Sequence, residues 1–258
     1  MRKLAFGLVL LAVAAGTTVR AASFDETEHI AQTARLDAGG TLRLKNFSGR
    51  VTITAEDRRD VAIDATRRAT RDRLDHIKLD IHNEGDTLVV DANHKDDSWQ
   101  SWFGRNNNVV QTDFDIKVPR KTNLDINVFS SPVTVQGVEG RHKVHGFSSR
   151  LTLEDVVGPV EAHTFSGMVE IREKAWQPRQ SIDVNTFSGS VELHVPENAK
   201  AAVSFNSFSG HLDAGMPLTF NSLNTRRRGS LTARLGADDA DAGSLRVKTF
   251  SGSVRIDR

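Results

Sequence analysis

The chain has 258 residues with neither cysteine nor tyrosine, and 34 Lys and Arg against 33 Asp and Glu give a formal net charge of +1. Without cysteine there is no disulfide, thiolate ligand, thiol nucleophile or lipidated Cys, so stability has to come from packing. The charge balance argues for neither a nucleic acid nor a strongly acidic partner.

At the N-terminus, Arg2 and Lys3 precede an apolar run from Leu4 to Ala15, and the stretch ends at Val19-Arg20-Ala21. This pattern predicts a Sec-type signal peptide over residues 1–21, cleaved after Ala21. The run is shorter than the roughly 18 residues of a membrane-spanning helix, and nothing later is as hydrophobic, so no transmembrane segment is expected. The mature chain is expected to be exported and soluble, in the periplasm or at the cell surface.

Beyond the leader, the triplet Phe-Ser-Gly/Ser recurs at Phe47, Phe129, Phe147, Phe165, Phe187, Phe208 and Phe250. From Phe129 onward the spacings are 18, 18, 22, 21 and 42 residues. The last is twice 21, with Gly229-Ser230-Leu231 where a degenerate copy falls, and the gap of 82 between Phe47 and Phe129 has room for about four coils. Three residues before each Phe stand Leu44, Ile126, Val144, Ala162, Val184, Phe205 and Val247, and four after it Val51, Val133, Leu151, Val169, Val191, Leu212 and Val254. The positions five before and six after are almost as uniformly apolar, with polar residues between. Each copy therefore reads as strand, Ser-Gly turn, strand, with one face buried. Glycine suits such a turn because a tight reversal often needs positive φ, and Ser131 and Ser149 replace it in two copies.

A coil of about 20 residues buries four or five apolar side chains at roughly 1.5–3 kcal/mol each, against about 1–2 kcal/mol of backbone entropy per ordered residue. Coils must therefore stack at about 4.8 Å to be stable, which predicts a ladder of the Phe residues at one corner. The fold class expected is all-β: a single-domain β-solenoid, or β-helix, of about 20-residue coils. The divisions are the signal peptide at 1–21, a β-rich segment and irregular cap with the first repeat at 22–118, and Phe-Ser-Gly coils at 119–258. Outward positions form polar ladders, and Asp125, Lys143 and Glu161 are predicted to be adjacent rungs of alternating charge.

The stretches TFSGSVEL, TFSGMVEI and the terminal KTFSGSVRI, behind a signal peptide, resemble a bacterial adhesin-like family of exported β-strand repeats. The likeness covers roughly residues 36–258 and implies an adhesive role with no catalytic motif. Between Ile63 and Phe114 the chain departs from the pattern, with strands such as IKLDIHN and TLVVDAN lacking the turn, which suggests a differently wound cap.

Several residue groups invite chemistry. The recurring Ser lies in no Gly-x-Ser-x-Gly elbow, and a nucleophile needs one unique base rather than seven equivalent settings, so the serines read as turn residues. His142 and His145 face opposite ways on a strand, which leaves His145 with His163 as the one imidazole pair, and no metal or cofactor is assigned. Asp125, Glu161 and Asp183 share an outward face, but alternate coils are about 10 Å apart and Lys143 intervenes, which favours a solvated ladder over a retaining glycosidase pair. Arg226-Arg227-Arg228 reads as a solvated loop. Trp99, Trp102 and Phe103 stand in a polar loop from Asn93 to Asn108; they are the candidate binding residues, and they also suit a plug over the apolar core.

The resulting expectation is a non-enzymatic envelope protein, an adhesin or binding scaffold whose partner is an envelope protein or a polysaccharide. Two alternatives stand beside it: a polysaccharide-active β-helix using the outward acids, and a structural or stress-response protein whose ends pair between chains. Arg255, Asp257 and Arg258 are expected to blunt the C-terminal edge and keep the chain monomeric.

Overall fold

The computed structural model describes residues 26–95, 109–220, 229–237 and 240–258. The protein is all-β, with two large mixed sheets and one short helix among the described residues. In chain order, β1 (Glu26–Arg35) is followed by β2 (Thr41–Ser48) and β3 (Val51–Glu56), then β4 (Asp60–Ala69), α1 (Arg71–His76), β5 (Ile77–Glu84), β6 (Thr87–Lys95) and β7 (Gln111–Pro119). Strand pairs follow: β8 (Asn123–Ser130) and β9 (Val133–Gln136), β10 (His142–Ser148) and β11 (Leu151–Val156), β12 (Val160–Ser166) and β13 (Val169–Glu173), β14 (Ser181–Ser188) and β15 (Val191–His194). The chain ends with β16 (Ala201–Ser207), β17 (His211–Ala214), β18 (Thr219–Phe220), β19 (Ser230–Leu235), β20 (Gly243–Ser251) and β21 (Ser253–Asp257). Among the described residues no helix is long and apolar enough to cross a membrane.

Each Phe-Ser-Gly/Ser turn carries the chain from one sheet into the other. The strand before Phe lies in the eleven-stranded sheet and the strand after it in the ten-stranded sheet. Alternation then does the rest, because the inward positions of both strands, such as Leu42, Leu44, Val51 and Ile53, are fully buried in a core between the sheets. Successive repeats pair in parallel at equal register. Leu124, His142, Val160 and Ile182 line up across one sheet, and Val133, Leu151, Val169 and Val191 across the other.

The order of the rungs is not the order of the chain. The first repeat, β2 with β3, lies between β6/β7 and β8/β9, and the last, β20 with β21, lies between β14/β15 and β16/β17. Among the described residues of the 82-residue gap, β6 and β7 form one further parallel rung, and the antiparallel strands β4 and β5 lie outside it. Room for four coils is not used that way, because the first repeat pairs directly with β8 and β9 and the intervening chain has to cover its other side. Gly229-Ser230-Leu231 likewise is no coil; β19 runs antiparallel to β16 and extends one sheet only.

This exchange also moves the C-terminus. Arg255 and Asp257 sit in β21, which pairs with β15 on one side and β17 on the other, so they do not blunt an edge. The sheet edges at that end are the four-residue β17 and the two-residue β18, short enough to offer little template for a further strand.

Several inward positions carry polar side chains, Thr164, Glu173 and His142 among them. His142 is fully buried where other copies carry Leu42, Leu124 or Leu245, and burial pushes its pKa down to about 4 against the weaker pull of the Val157 and Val138 backbone. The folded-state value lies below the 6.5 of a free imidazole, so the unfolded chain takes up the proton first. Its contribution is complete above pH about 6.5 and is lost as pH falls through that value toward about 4. His142→Leu is expected to remove this acid-side loss; thermal melts of both proteins at pH 4.5 and 7.5 check it, and an equal loss in the variant would count against a buried neutral His142.

Candidate functional site

On the outward face of the eleven-stranded sheet, three columns of side chains run across the strands. Phe forms one, the residue two before it the second, and the residue four before it the third. All seven Phe side chains of the triplet point outward and stay 40–79% exposed, while Thr164, Thr186 and Thr249, one residue earlier, are buried. Even spacing from the outward polar positions fixes this direction.

The rings form one continuous stack in the order Phe47, Phe129, Phe147, Phe165, Phe187, Phe250, Phe208, with centroid steps of 4.6–4.9 Å and interplanar angles of 1–12°. The step is the strand spacing itself, so the backbone sets it. The stack places Phe47 on Phe129 and inserts Phe250 between Phe187 and Phe208, following the exchanged order of the rungs. In the rung beyond Phe47, the strand β6 carries no Phe, and Asp91 pairs with Lys45 in the outward column.

Beside the stack runs a shallow trough. One stretch of about 440 Å³ lies along Phe47, Phe129 and Phe147, and a second of about 810 Å³ along Phe165, Phe187, Phe208 and Phe250; both touch His145 and Gly146. The far wall is the middle column, with Asn127, His145, His163, Asn185 and Lys248. A separate hollow of about 380 Å³ lies on the other side of that wall, among Glu161, His163, Asp183 and Arg246.

The third column is charged. Lys143 pairs in register with Asp125 on one side and Glu161 on the other, yet Asp125 takes its ion pair from Arg43, with Nε 3.1 Å from Oδ2. Glu161 instead faces the imidazoles, with its Oε1 3.3 Å from His145 Nε2 and 3.9 Å from His163 Nε2. The two imidazoles are stacked at 4.7 Å and 3°. Burial, and then the neighbouring His145, hold the His163 pKa below the ordinary histidine value, so its ring is neutral at pH 7.

Trp99, Trp102 and Phe103 lie outside the described residues, as does Arg226-Arg227-Arg228. The third Trp, Trp176, packs against the core and its indole donates to the Lys200 carbonyl at 3.2 Å. As one of a series of acids in the sequence, Glu161 does not reveal its place beside the imidazoles; the signal is its position two residues before His163, which puts both on one face.

No protein-family model matches the chain, and no curated protein sequence matches it. Solved structures do. A candidate cell adhesion protein from Clostridium sporogenes is 8% identical with a TM-score of 0.50, over 89% of this chain and 99% of that one. A candidate adhesin from Bacteroides fragilis is 11% identical with a TM-score of 0.36, over 89% of this chain and 97% of that one. A candidate lipid binding protein from Parabacteroides distasonis is 9% identical with a TM-score of 0.33, over 90% and 96%. At 8% identity, what the chain shares with the Clostridium sporogenes protein is its fold.

Proposed function

We propose that this is an exported, non-enzymatic binding protein, a single β-solenoid with a β-rich segment, cap and first repeat at 22–118 and the remaining Phe-Ser-Gly coils at 119–258. Its ligand is an extended segment of another envelope protein, laid along the phenylalanine stack. The observation that carries the reading is seven half-exposed Phe rings in unbroken contact, spanning roughly 29 Å in six steps of 4.6–4.9 Å. A soluble protein rarely leaves a contiguous apolar strip of that kind uncovered without a partner for it.

Ring geometry supports a protein partner over a sugar polymer. The five rings between Phe47 and Phe208 have both faces covered by neighbouring rings, and a pyranose needs an aromatic face to stack on. Only C–H edges remain, which suit apolar side chains. An aromatic strip bordered by Asn, Lys and charged columns also has the arrangement of a protein interface, apolar at the centre and polar at the rim. The outward acids support no glycosidase reading here, since Asp125 is held by Arg43 and Glu161 faces two imidazoles.

The test is retention of envelope proteins and of cell-envelope and plant-type polysaccharides on the immobilised mature protein and on a Phe147→Ser/Phe165→Ser/Phe187→Ser variant. Selective retention of a protein by the parent, lost in a variant whose circular dichroism is native, is the expected result. A polysaccharide retained by both chains, or released as oligosaccharide, would move the function to the sugar polymer.

A further inference from the structure

We propose that His145, His163 and Glu161 form a binding site for a divalent transition-metal ion of the zinc type. The proposal stands apart from the phenylalanine stack, since it needs no protein partner. Glu161 and His163 are two residues apart on β12 and so share its outward face. The strand β10 runs parallel beside it with His145 paired to His163, which fixes the three Cα positions within two hydrogen-bonded strands. Among the described rungs of this column these two alone carry histidine; the others have Asp91, Lys45, Asn127, Asn185, Lys248 and Asn206.

The ligand atoms are already gathered, with one from each residue and all within 4.8 Å of one another. Around zinc with bonds of about 2.0–2.1 Å, tetrahedral ligands sit roughly 3.3 Å apart. The 3.3 Å between His145 Nε2 and Glu161 Oε1 meets that distance, and the 3.9 Å from Glu161 to His163 is close to it. Closing the set needs the two parallel rings to tilt toward each other at their nitrogen edges. All three side chains are partly exposed. Two imidazoles and one carboxylate are a zinc donor set that leaves a fourth position open.

Charges of both signs border the site. Lys143 on β10 and Asp183 on β14 are the charged groups acting on His163 besides Glu161 and His145, one repelling a cation and the other attracting it. A second gathering, Glu170, Glu192 and His194, lies on the other sheet, but there Asp257 already engages His194 Nδ1. It serves as an internal control.

Zinc titration by calorimetry at pH 7.5, without any partner, tests the site. One equivalent is expected to bind the parent, with affinity reduced at least tenfold in His163→Asn and in Glu161→Gln and unchanged in His194→Asn. Saturating zinc should also raise the melting temperature of the parent and not that of His163→Asn, because the ion ties adjacent rungs together in the folded state only. The proposal is overturned if the parent binds no zinc, if both variants bind as the parent does, or if His194→Asn is the substitution that abolishes binding. Both variant positions are at the surface, and native melting curves without zinc show that the fold is intact.

Discussion

Gly189→Ala is expected to lower the melting temperature by roughly 6–12 °C, corresponding to about 3 kcal/mol at roughly 2–4 °C per kcal/mol for a chain of this size. A Cβ added there would stand 1.8 Å from the Gly167 carbonyl oxygen on the neighbouring rung. Backbone is on the receiving side, held by its own ladder, so no flexible side chain can give way. The same contact recurs along the stack of turns, with a Cβ on Gly252 falling 2.0 Å from the Gly189 oxygen and one on Gly167 falling 2.1 Å from the Ser149 oxygen. Positive φ accounts for only some of these glycines: Gly49 and Gly167 have φ of +107° and +139°, whereas Gly189, Gly210 and Gly252 do not lie in that region. The common requirement is close approach of one turn to the next. Gly39→Ala is the contrast, because its φ is +85° but its Cβ meets nothing within 4 Å, so it costs only the left-handed strain of about 1–2 kcal/mol. Equal melting of the two variants would show that turn stacking is not what the glycine is for.

Glu173→Gln is expected to stabilise the protein above neutral pH and to change little in acid. Glu173 ends β13 with 5% exposure, and neither carboxyl oxygen has a hydrogen-bond partner among the described residues. Burial pushes its pKa from 4.5 up to about 8, with the nearby Gln180 side chain acting weakly the other way. Below pH 4.5 both folded and unfolded chains carry the proton and no penalty exists. Above it the unfolded chain ionises while the folded one keeps its proton, so stability falls by up to about 1.4 kcal/mol per pH unit until pH reaches about 8. Glutamine keeps the shape without the charge. Melting curves at pH 4.5 and 8.5 should separate the two proteins by several degrees only at the higher pH. A parent whose stability does not fall between those values would mean that Glu173 is ionised in the folded state. His142 acts in the opposite sense over the lower part of this range, so stability flattens between pH about 4.5 and 6.5 and declines on either side.

Much of the architecture could be read from the chain because a period of two and a recurring turn are local properties. Val51, Val133, Leu151 and Val169 announce an inward column by alternation alone, and they pair in register as that alternation requires. What the spacing could not carry was adjacency. Phe47 and Phe129 are 82 residues apart and touch, while Phe187 and Phe208 are 21 apart and have Phe250 between them. Sequence distance counts the residues in a connection and says nothing of which rung the returning chain meets, so the exchanged order at both ends was invisible. The serines at 131 and 149 show the same limit. Their place in the turn and on successive rungs was evident, but not that Ser149 Oγ accepts from the Ser131 backbone and donates to the Phe129 carbonyl.

The site divides in the same way. Even spacing makes the phenylalanines an outward column, and strand pairing turns the column into a contact surface. Glu161 was visible as one rung of an acidic series and acquires its role only when β10 brings His145 beside it.

The strip itself is tested most directly by the affinity of a captured envelope protein for the parent and for the folded Phe147→Ser/Phe165→Ser/Phe187→Ser variant, measured side by side on a sensor surface. A loss of at least roughly tenfold, the size seen when central aromatic contacts are removed from an interface, is the expected result. Equal affinity for the two proteins would mean that the partner binds elsewhere and that the phenylalanine stack is not the recognition surface.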